Sequence, residues 1–296
     1  MPAPAVSVVV PTRNRAEYLS VALASIVDQQ LDLPFEVVVV DDGSTDATAA
    51  VVREAGVALE RHPSPRGPNA ARNTGIGATS APLIALVDDD VRAPAGWLAA
   101  LLEGARTMPW ADALGGPIRP SLEGAAPRSC GRESPPVTTL DLGPSDAEAR
   151  FVWSANMAIR RSAVTRIGGF DESVPIERSN PSGSGAKAFG FYGDEEEWLM
   201  RLHSDGGRVA YVAAAGLDHR RAGDDARLRS LARAEYRRGR AASRNDRRKR
   251  TELPLPRELR NLAGAGWHMI RRRCPLGAVM IAHTAGRLTE RLGASR

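Results

Sequence analysis

The chain has 296 residues, 43% apolar and 25% charged, which supports a folded core and excludes a disordered chain. Two cysteines, Cys130 and Cys274, are too few for a disulfide scaffold and too far apart for a CxxC metal knuckle, and no run of 18 apolar residues spans a membrane. The net charge of +5 is uneven, because residues 219–296 carry 21 basic against 7 acidic side chains and residues 1–218 carry 19 against 28.

Residues 6–10 form a β-branched run ended by Pro11 and predict a buried strand. Leu19, Leu23, Ile26 and Val27 recur at helical spacing and predict a helix over 15–29. Residues 35–40 predict a second buried strand, stopped by Asp41-Asp42-Gly43-Ser44, with Ser44 or Thr45 capping a helix that runs to about Ala55. A weak strand at 58–60, a helix over 70–79 and a strand over 82–87 follow. Strands that are apolar throughout and alternate with helices predict an α/β fold, a mostly parallel sheet with helices on both faces.

Ligands of such sheets bind beyond the carboxyl ends of the strands. Pro11-Thr12-Arg13-Asn14, Asp41-Asp42 and Asp88-Asp89-Asp90 all fall there. Three adjacent carboxylates repel unless a cation or protons neutralise them, and oxygen ligands suit Mg²⁺ or Mn²⁺. A solvated acidic turn is the competing reading.

Residues 115–150, rich in Pro, Gly and Ser, predict loops with little regular structure. A second block runs from Phe151 to Ile159, with a helix starting at Arg161 and a turn at Gly168-Gly169-Phe170-Asp171. Residues 179–190 are small and polar and predict a lid-like loop, 194–203 a helix with Trp198 facing the core, and 209–212 a last strand ending near His219. The tail predicts Arg-rich helices to about Arg250 and again from Pro256 to the end. His62, His203, His268 and His283 have no partner at metal-ligand spacing, and Cys130 has no nearby His in sequence, so none is given a site role.

Val6 through Arg15, Glu36 through Asp46, Asn69-Ala70-Ala71-Arg72-Asn73-Thr74-Gly75 and Leu86 through Asp90 together resemble the opening of family 2 glycosyltransferases. Asn156 through Arg161, Ile167 through Glu172 and Gly193 through Leu202 resemble the acceptor side of the same family, so the resemblance covers roughly 6–219 in order. It implies a GT-A fold with a nucleotide-sugar-binding half at 1–115, an acceptor-binding half of the same domain at 116–219, and a basic helical extension at 220–296.

Carried over by position, the resemblance implies that Pro11, Thr12, Arg13, Asp42, Arg72 and Asp89 line the nucleotide. Asp88 and Asp90 stand at the ends of an Asp-x-Asp motif for a divalent cation, Mn²⁺ or Mg²⁺, and His219 falls where some members place a further ligand. Arg13 replaces the aromatic residue that many members stack on uracil, which leaves the base open, and Arg220 and Arg221 become candidates for diphosphate oxygens. The reaction implied is inverting, with a carboxylate taking the acceptor proton. Glu195 falls in the base position by register, beside Asp194, in an order swapped from the family's usual Glu-Asp. Acidic residues at 194–197 also suit a helix start, and Glu197 can pair with Arg201.

The expected partners are a nucleotide-diphosphate sugar and an unknown acceptor, with a lipid-linked one as a candidate. The basic tail fits packing of its apolar side on the acidic body or contact with an anionic membrane surface; nucleic acid fits less well, because no aromatic interleaving accompanies the arginines. The expected location is cytoplasmic, peripheral at the inner face of the membrane. A nucleotidyltransferase, or a non-catalytic nucleotide- or membrane-binding protein on the same scaffold, are the rival functions. The first usually carries a Gly-rich, Lys-containing loop after the first strand, and Pro11-Thr12-Arg13-Asn14-Arg15 is not one.

Overall fold

The computed structural model describes residues 2–124, 126–128, 130, 137–172, 194–249 and 251–293. The elements are, in chain order, β1 (Val6–Thr12), α1 (Ala16–Val27), β2 (Phe35–Asp41), α2 (Thr48–Glu54), β3 (Ala58–Arg61), α3 (Pro68–Gly77), β4 (Leu83–Val87), β5 (Val91–Arg92) and α4 (Trp97–Thr107). There follow β6 (Ala113–Gly115), β7 (Ile118–Leu122), β8 (Ala147–Ala149), β9 (Asn156–Arg160), α5 (Arg161–Ile167), α6 (Asp194–Ser204), β10 (Val209–Tyr211) and β11 (Leu217–Arg221). The tail folds as α7 (Leu228–Lys249), α8 (Leu255–Arg272) and α9 (Gly277–Gly293).

The large sheet has the order β3-β2-β1-β4-β9-β6-β10-β8. β3, β2, β1 and β4 are mutually parallel, β9 runs against β4 and β6, β10 lies parallel to β6, and β8 closes the edge antiparallel. The apolar strands bury both faces because successive side chains alternate. Val6, Val8 and Val10 of β1 join a cluster with Leu19, Leu23 and Ile26 of α1 and Trp97, Leu98 and Leu101 of α4. Val9, with Val38 and Val40 of β2, joins Ala71 and Ile76 of α3 and Trp198, Leu199 and Leu202 of α6 on the other face. Trp198 is core as expected, fully buried and stacked on Phe170 at 5.7 Å.

Neither Ser44 nor Thr45 caps α2; Asp46 Oδ1 accepts from the Thr48 backbone N–H at 3.1 Å, and the Ser44 hydroxyl accepts from the Asn14 backbone N–H at 2.9 Å. The segment 115–150 is more regular than its Pro and Gly content predicts, since β7 and β8 lie in it. The predicted lid at 179–190 falls outside the described residues.

By compactness the chain divides into two units. The first comprises Met1–Arg119, Leu140–Ile176 and Asp194–His219, and the second Pro120–Thr139, Glu177–Gly193 and Arg220–Arg296. Within the second, α9 packs on both α7 and α8. A Cβ on Gly239 would lie 1.9 Å from the His283 carbonyl and one on Gly286 2.0 Å from that of Tyr236, so α7 and α9 cross backbone to backbone. Buried arginines there are paired: Arg287 reaches Asp246 at 2.7 Å and Glu258 at 3.0 Å, and Arg238 pairs with Glu235, to which His283 also bonds at 3.0 Å. The guanidinium of Arg220, a candidate for diphosphate oxygens, donates to Glu123 at 2.8 Å through Nε and 2.7 Å through Nη2. Among the described residues no helix is long and apolar enough to cross a membrane.

Candidate functional site

The parallel register brings the strand ends together. Thr12 pairs with Asp41 across β1 and β2, and Val9 pairs with Leu86 across β1 and β4, so three residues further on Thr12 is level with Asp89. The Thr12 hydroxyl donates to Asp89 Oδ2 at 2.7 Å. Arg15, just before α1, spans two carboxylates, with Nη1 2.7 Å from Asp89 and Nη2 2.8 Å from Asp90. Its guanidinium also lies over the Tyr18 ring at 4.4 Å. Burial opposes the Arg15 charge, but Asp89 and Asp90 outweigh it and raise its pKa.

β11 supplies the third side. His219 pairs with Val91 of β5, which follows the aspartates by one residue, and its Nε2 lies 2.9 Å from Asp90 Oδ1. One donor atom each from Asp88, Asp90 and His219 lie within 4.8 Å of one another. Asp90 and His219 are buried, whereas the Asp88 side chain is 26% exposed. Burial, then the neighbouring Asp90, push the Asp88 pKa up against Arg72, His219 and Arg15; Asp89 is likewise raised, by burial above all. Crowded carboxylates that resist ionisation, with an imidazole beside them, form a donor set that a divalent cation fits.

Arg72 of α3 is buried at the same strand ends. It donates to Asn69 Oδ1 at 3.0 Å and to the Ser154 hydroxyl at 2.9 Å, lies over the Phe170 ring at 5.7 Å, and stands 3.9 Å from Asp88. The Ser154 backbone N–H points to Glu195 Oε1 at 3.4 Å. Glu195, one residue into α6, is only 6% exposed. A continuous polar chain therefore runs from Asp88 through Arg72 and Ser154 to Glu195. Asp194 opens α6 beside it, and Glu197 pairs with Arg201 at 2.5 Å as its spacing predicts.

Asp42 stands at the end of β2 with its carboxylate turned to the following loop. It accepts from the backbone N–H groups of Arg66 at 2.7 Å and Gly67 at 2.9 Å and pairs with His62 at 2.8 Å. Burial opposes ionisation, yet these donors hold the Asp42 pKa below the usual carboxylate range. Pro11 is half-buried, and the Arg13 Nε–H is buried with no hydrogen-bond partner among the described residues, a donor still available to a ligand.

The sequence alone does not single out Arg15 and Ser154. Nothing in their spacing marks them, because each meets its partners only through strand register. The Gly168–Asp171 turn is tied to α3: Asn73 Oδ1 accepts the Phe170 backbone N–H at 2.8 Å, and Asn69 Nδ2 donates to the Asp171 carbonyl at 2.7 Å.

A family model described as Glycosyl transferase family 2 matches residues 7–168. The chain is 31% identical over 226 residues to a pre-mycofactocin glycosyltransferase of Mycobacterium tuberculosis, covering 73% of this chain and 43% of that protein. It is 30% identical over 234 residues to a validoxylamine A glucosyltransferase of Streptomyces hygroscopicus, covering 69% and 52%. The chain thus spans about half the length of these curated relatives. Among solved structures, a mannosyltransferase of Pyrobaculum calidifontis in complex with GDP-Man and Mn²⁺ superposes with a TM-score of 0.58 at 19% identity, over 97% of this chain and 88% of that one. TarS 1-349 of S. aureus in complex with UDP-GlcNAc superposes with a TM-score of 0.53 at 18% identity, over 97% and 92%. These likenesses establish the same α/β fold, and with the family model covering more than half its length, the chain belongs to glycosyl transferase family 2.

Proposed function

We propose that this chain transfers a sugar from a nucleotide-diphosphate sugar to an acceptor hydroxyl with inversion at the anomeric carbon. The observation that carries the reading is the convergence of Asp88, Asp90, His219, Arg72 and Glu195 at one edge of the sheet. Pro11, Thr12, Arg13, Asp42, Arg72 and Asp89 are assigned to the nucleotide. Arg13 offers its orphaned Nε–H, and Asp42 shapes the pocket by ordering residues 62–67. Residues 1–115 are taken as the donor half, 116–219 as the acceptor half and 220–296 as the extension.

Asp88, Asp90 and His219 would hold a divalent cation, and the imidazole makes Mn²⁺ a better match than Mg²⁺. Bound there, it would supply positive charge to the departing diphosphate. Arg72 adds a second positive charge at the same edge, oriented by Asn69 and Ser154 before any ligand arrives. Glu195 takes the proton of the acceptor hydroxyl as its oxygen attacks the anomeric carbon; the new glycosidic bond forms as the bond to the diphosphate oxygen breaks on the opposite face.

A thermal-shift series of nucleoside diphosphates and nucleotide sugars with Mn²⁺, Mg²⁺ or EDTA tests the donor. A ligand at about 100 times its Kd stabilises by about 2.7 kcal/mol, so the right nucleotide should raise Tm by several degrees only when the cation is present. No shift with any nucleotide would overturn the reading.

For the acceptor, we infer presentation at an anionic lipid surface. α8 exposes Leu255, Leu259, Trp267 and Ile270 at helical spacing and carries Arg257, Arg260, Arg271 and Arg272, a combination suited to lying on acidic lipid. The full chain should co-sediment with anionic vesicles more than with neutral ones, weaken with salt, and lose most binding in the double variant Trp267→Glu, Ile270→Glu. Equal sedimentation with both vesicle types would refute the inference.

A further inference from the structure

The second unit brings together three residues that the sequence keeps apart. Cys130 Sγ lies 3.4 Å from His268 Nε2 on α8, so Cys130 does have a histidine neighbour. Cys274 completes the group: one donor atom from each of Cys130, His268 and Cys274 lies within 4.8 Å of the others. All three belong to the same unit.

The placement of Cys274 is built into the fold. α8 ends with Arg273 in the left-handed region, at φ 49°, which turns the chain back toward the helix it has just left. Cys274 then sits 2% exposed among Leu231, Leu276 and Val279, and its carbonyl accepts the Gly277 N–H that begins α9 at 3.0 Å. The Cys274 thiol thus lies in an apolar niche six positions after His268, which stands one turn from the same helix end. Cys130 approaches from the exposed side.

We propose that Cys130, His268 and Cys274 form a site for a thiophilic divalent cation, zinc foremost, that fastens Cys130 to the α8–α9 turn. Two sulfurs and an imidazole nitrogen are the donor types that zinc selects. Tetrahedral zinc, with bonds near 2.3 Å to sulfur and 2.0–2.1 Å to nitrogen, separates a sulfur from a nitrogen by about 3.5 Å. The 3.4 Å between Cys130 and His268 matches that edge. Two thiolates cancel the charge of the cation, both thiol protons are released on binding, and the exposed side leaves the fourth position to water. The donor set differs from the Asp88, Asp90 and His219 cluster, which carries no sulfur.

Cobalt(II) tells the two clusters apart. Added to the reduced full chain, freed of metal, it should give tetrahedral visible bands and a sulfur-to-cobalt charge-transfer band in the near ultraviolet. The chain has two cysteines, so such a band can only come from this site. Zinc should displace the cobalt and abolish the band, and protein purified without chelator should carry zinc at this site. Cys130→Ser, an exposed change that leaves the fold intact, and His268→Gln should each weaken cobalt binding about tenfold or more. Cys274→Ala should remove the tetrahedral signal, and the first two variants remain decisive if it fails to fold. A cobalt-saturated wild-type chain with no thiolate band, or a Cys130→Ser variant with the wild-type spectrum and affinity, overturns the proposal. So does loss of both free thiols to a disulfide with no metal bound.

Discussion

Asp90→Asn is expected to abolish cation-dependent nucleotide binding while leaving the chain folded. Asp90 is 2% exposed and carries two partners on separate oxygens, His219 Nε2 at 2.9 Å and Arg15 Nη2 at 2.8 Å. Asparagine has the same shape, so no cavity opens, but one of its two acceptors becomes an NH₂ that faces either the imidazole or the guanidinium. The negative charge goes with it, and with that the electrostatic reason for a cation to sit between Asp88, Asp90 and His219. Losing one preorganised electrostatic group in such a site lowers turnover by about 10²- to 10³-fold. The Tm shift produced by Mn²⁺ with a nucleoside diphosphate should vanish in the variant, and with EDTA the nucleotide should shift neither the variant nor the wild type. A variant that keeps the full cation-dependent shift would show that Asp90 holds no cation.

The part of this site that could be read in the sequence is the part that strand ends announce. Asp88, Asp89 and Asp90 follow an apolar strand directly, Thr12 ends a second and Asp42 follows a third, so the fold's preference for ligands at carboxyl ends selects them without any knowledge of contacts. The α/β pattern was legible for the same reason: continuous β-branched runs such as Val37 to Val40 must bury both faces, and Val37 and Val39 do so in one cluster while Val38 and Val40 do so in the other. What stayed hidden depends on register. Arg15 meets carboxylates 74 and 75 positions away, and Ser154 reaches an arginine 82 positions away, through pairings that no local periodicity encodes. Short elements were hidden too. β7 and β8 lie in a stretch whose prolines and glycines read as loop, and the break between α8 and α9 turns on Arg273 in a conformation that its side chain does not favour. The second cysteine–histidine cluster belongs to the same class, since Cys130 and His268 are 138 residues apart.

Glu195→Gln should leave nucleotide affinity within about twofold of wild type and lower kcat by about 10²- to 10⁴-fold, the range that a positioned proton acceptor contributes. The split follows from where the residue sits. Its contact runs to the Ser154 backbone N–H at 3.4 Å, and a glutamine carbonyl can accept the same bond, so Ser154 keeps its place and its hydroxyl still accepts from Arg72 at 2.9 Å. The donor side is therefore preserved and only the basicity is lost. A residue with a purely structural role would instead lower stability or nucleotide affinity and leave the pH profile of kcat unchanged. Removal of the base should flatten the acidic limb of that profile, because no carboxylate remains whose protonation stops turnover. Asp194→Asn is the paired measurement. Asp194 opens α6 at the helix end that favours negative charge, and its loss should cost turnover much less than the loss of Glu195. If Asp194→Asn abolishes transfer while Glu195→Gln retains it, the base is the first of the two carboxylates, and the polar chain from Asp88 to Glu195 serves to hold α6 against the sheet rather than to move a proton.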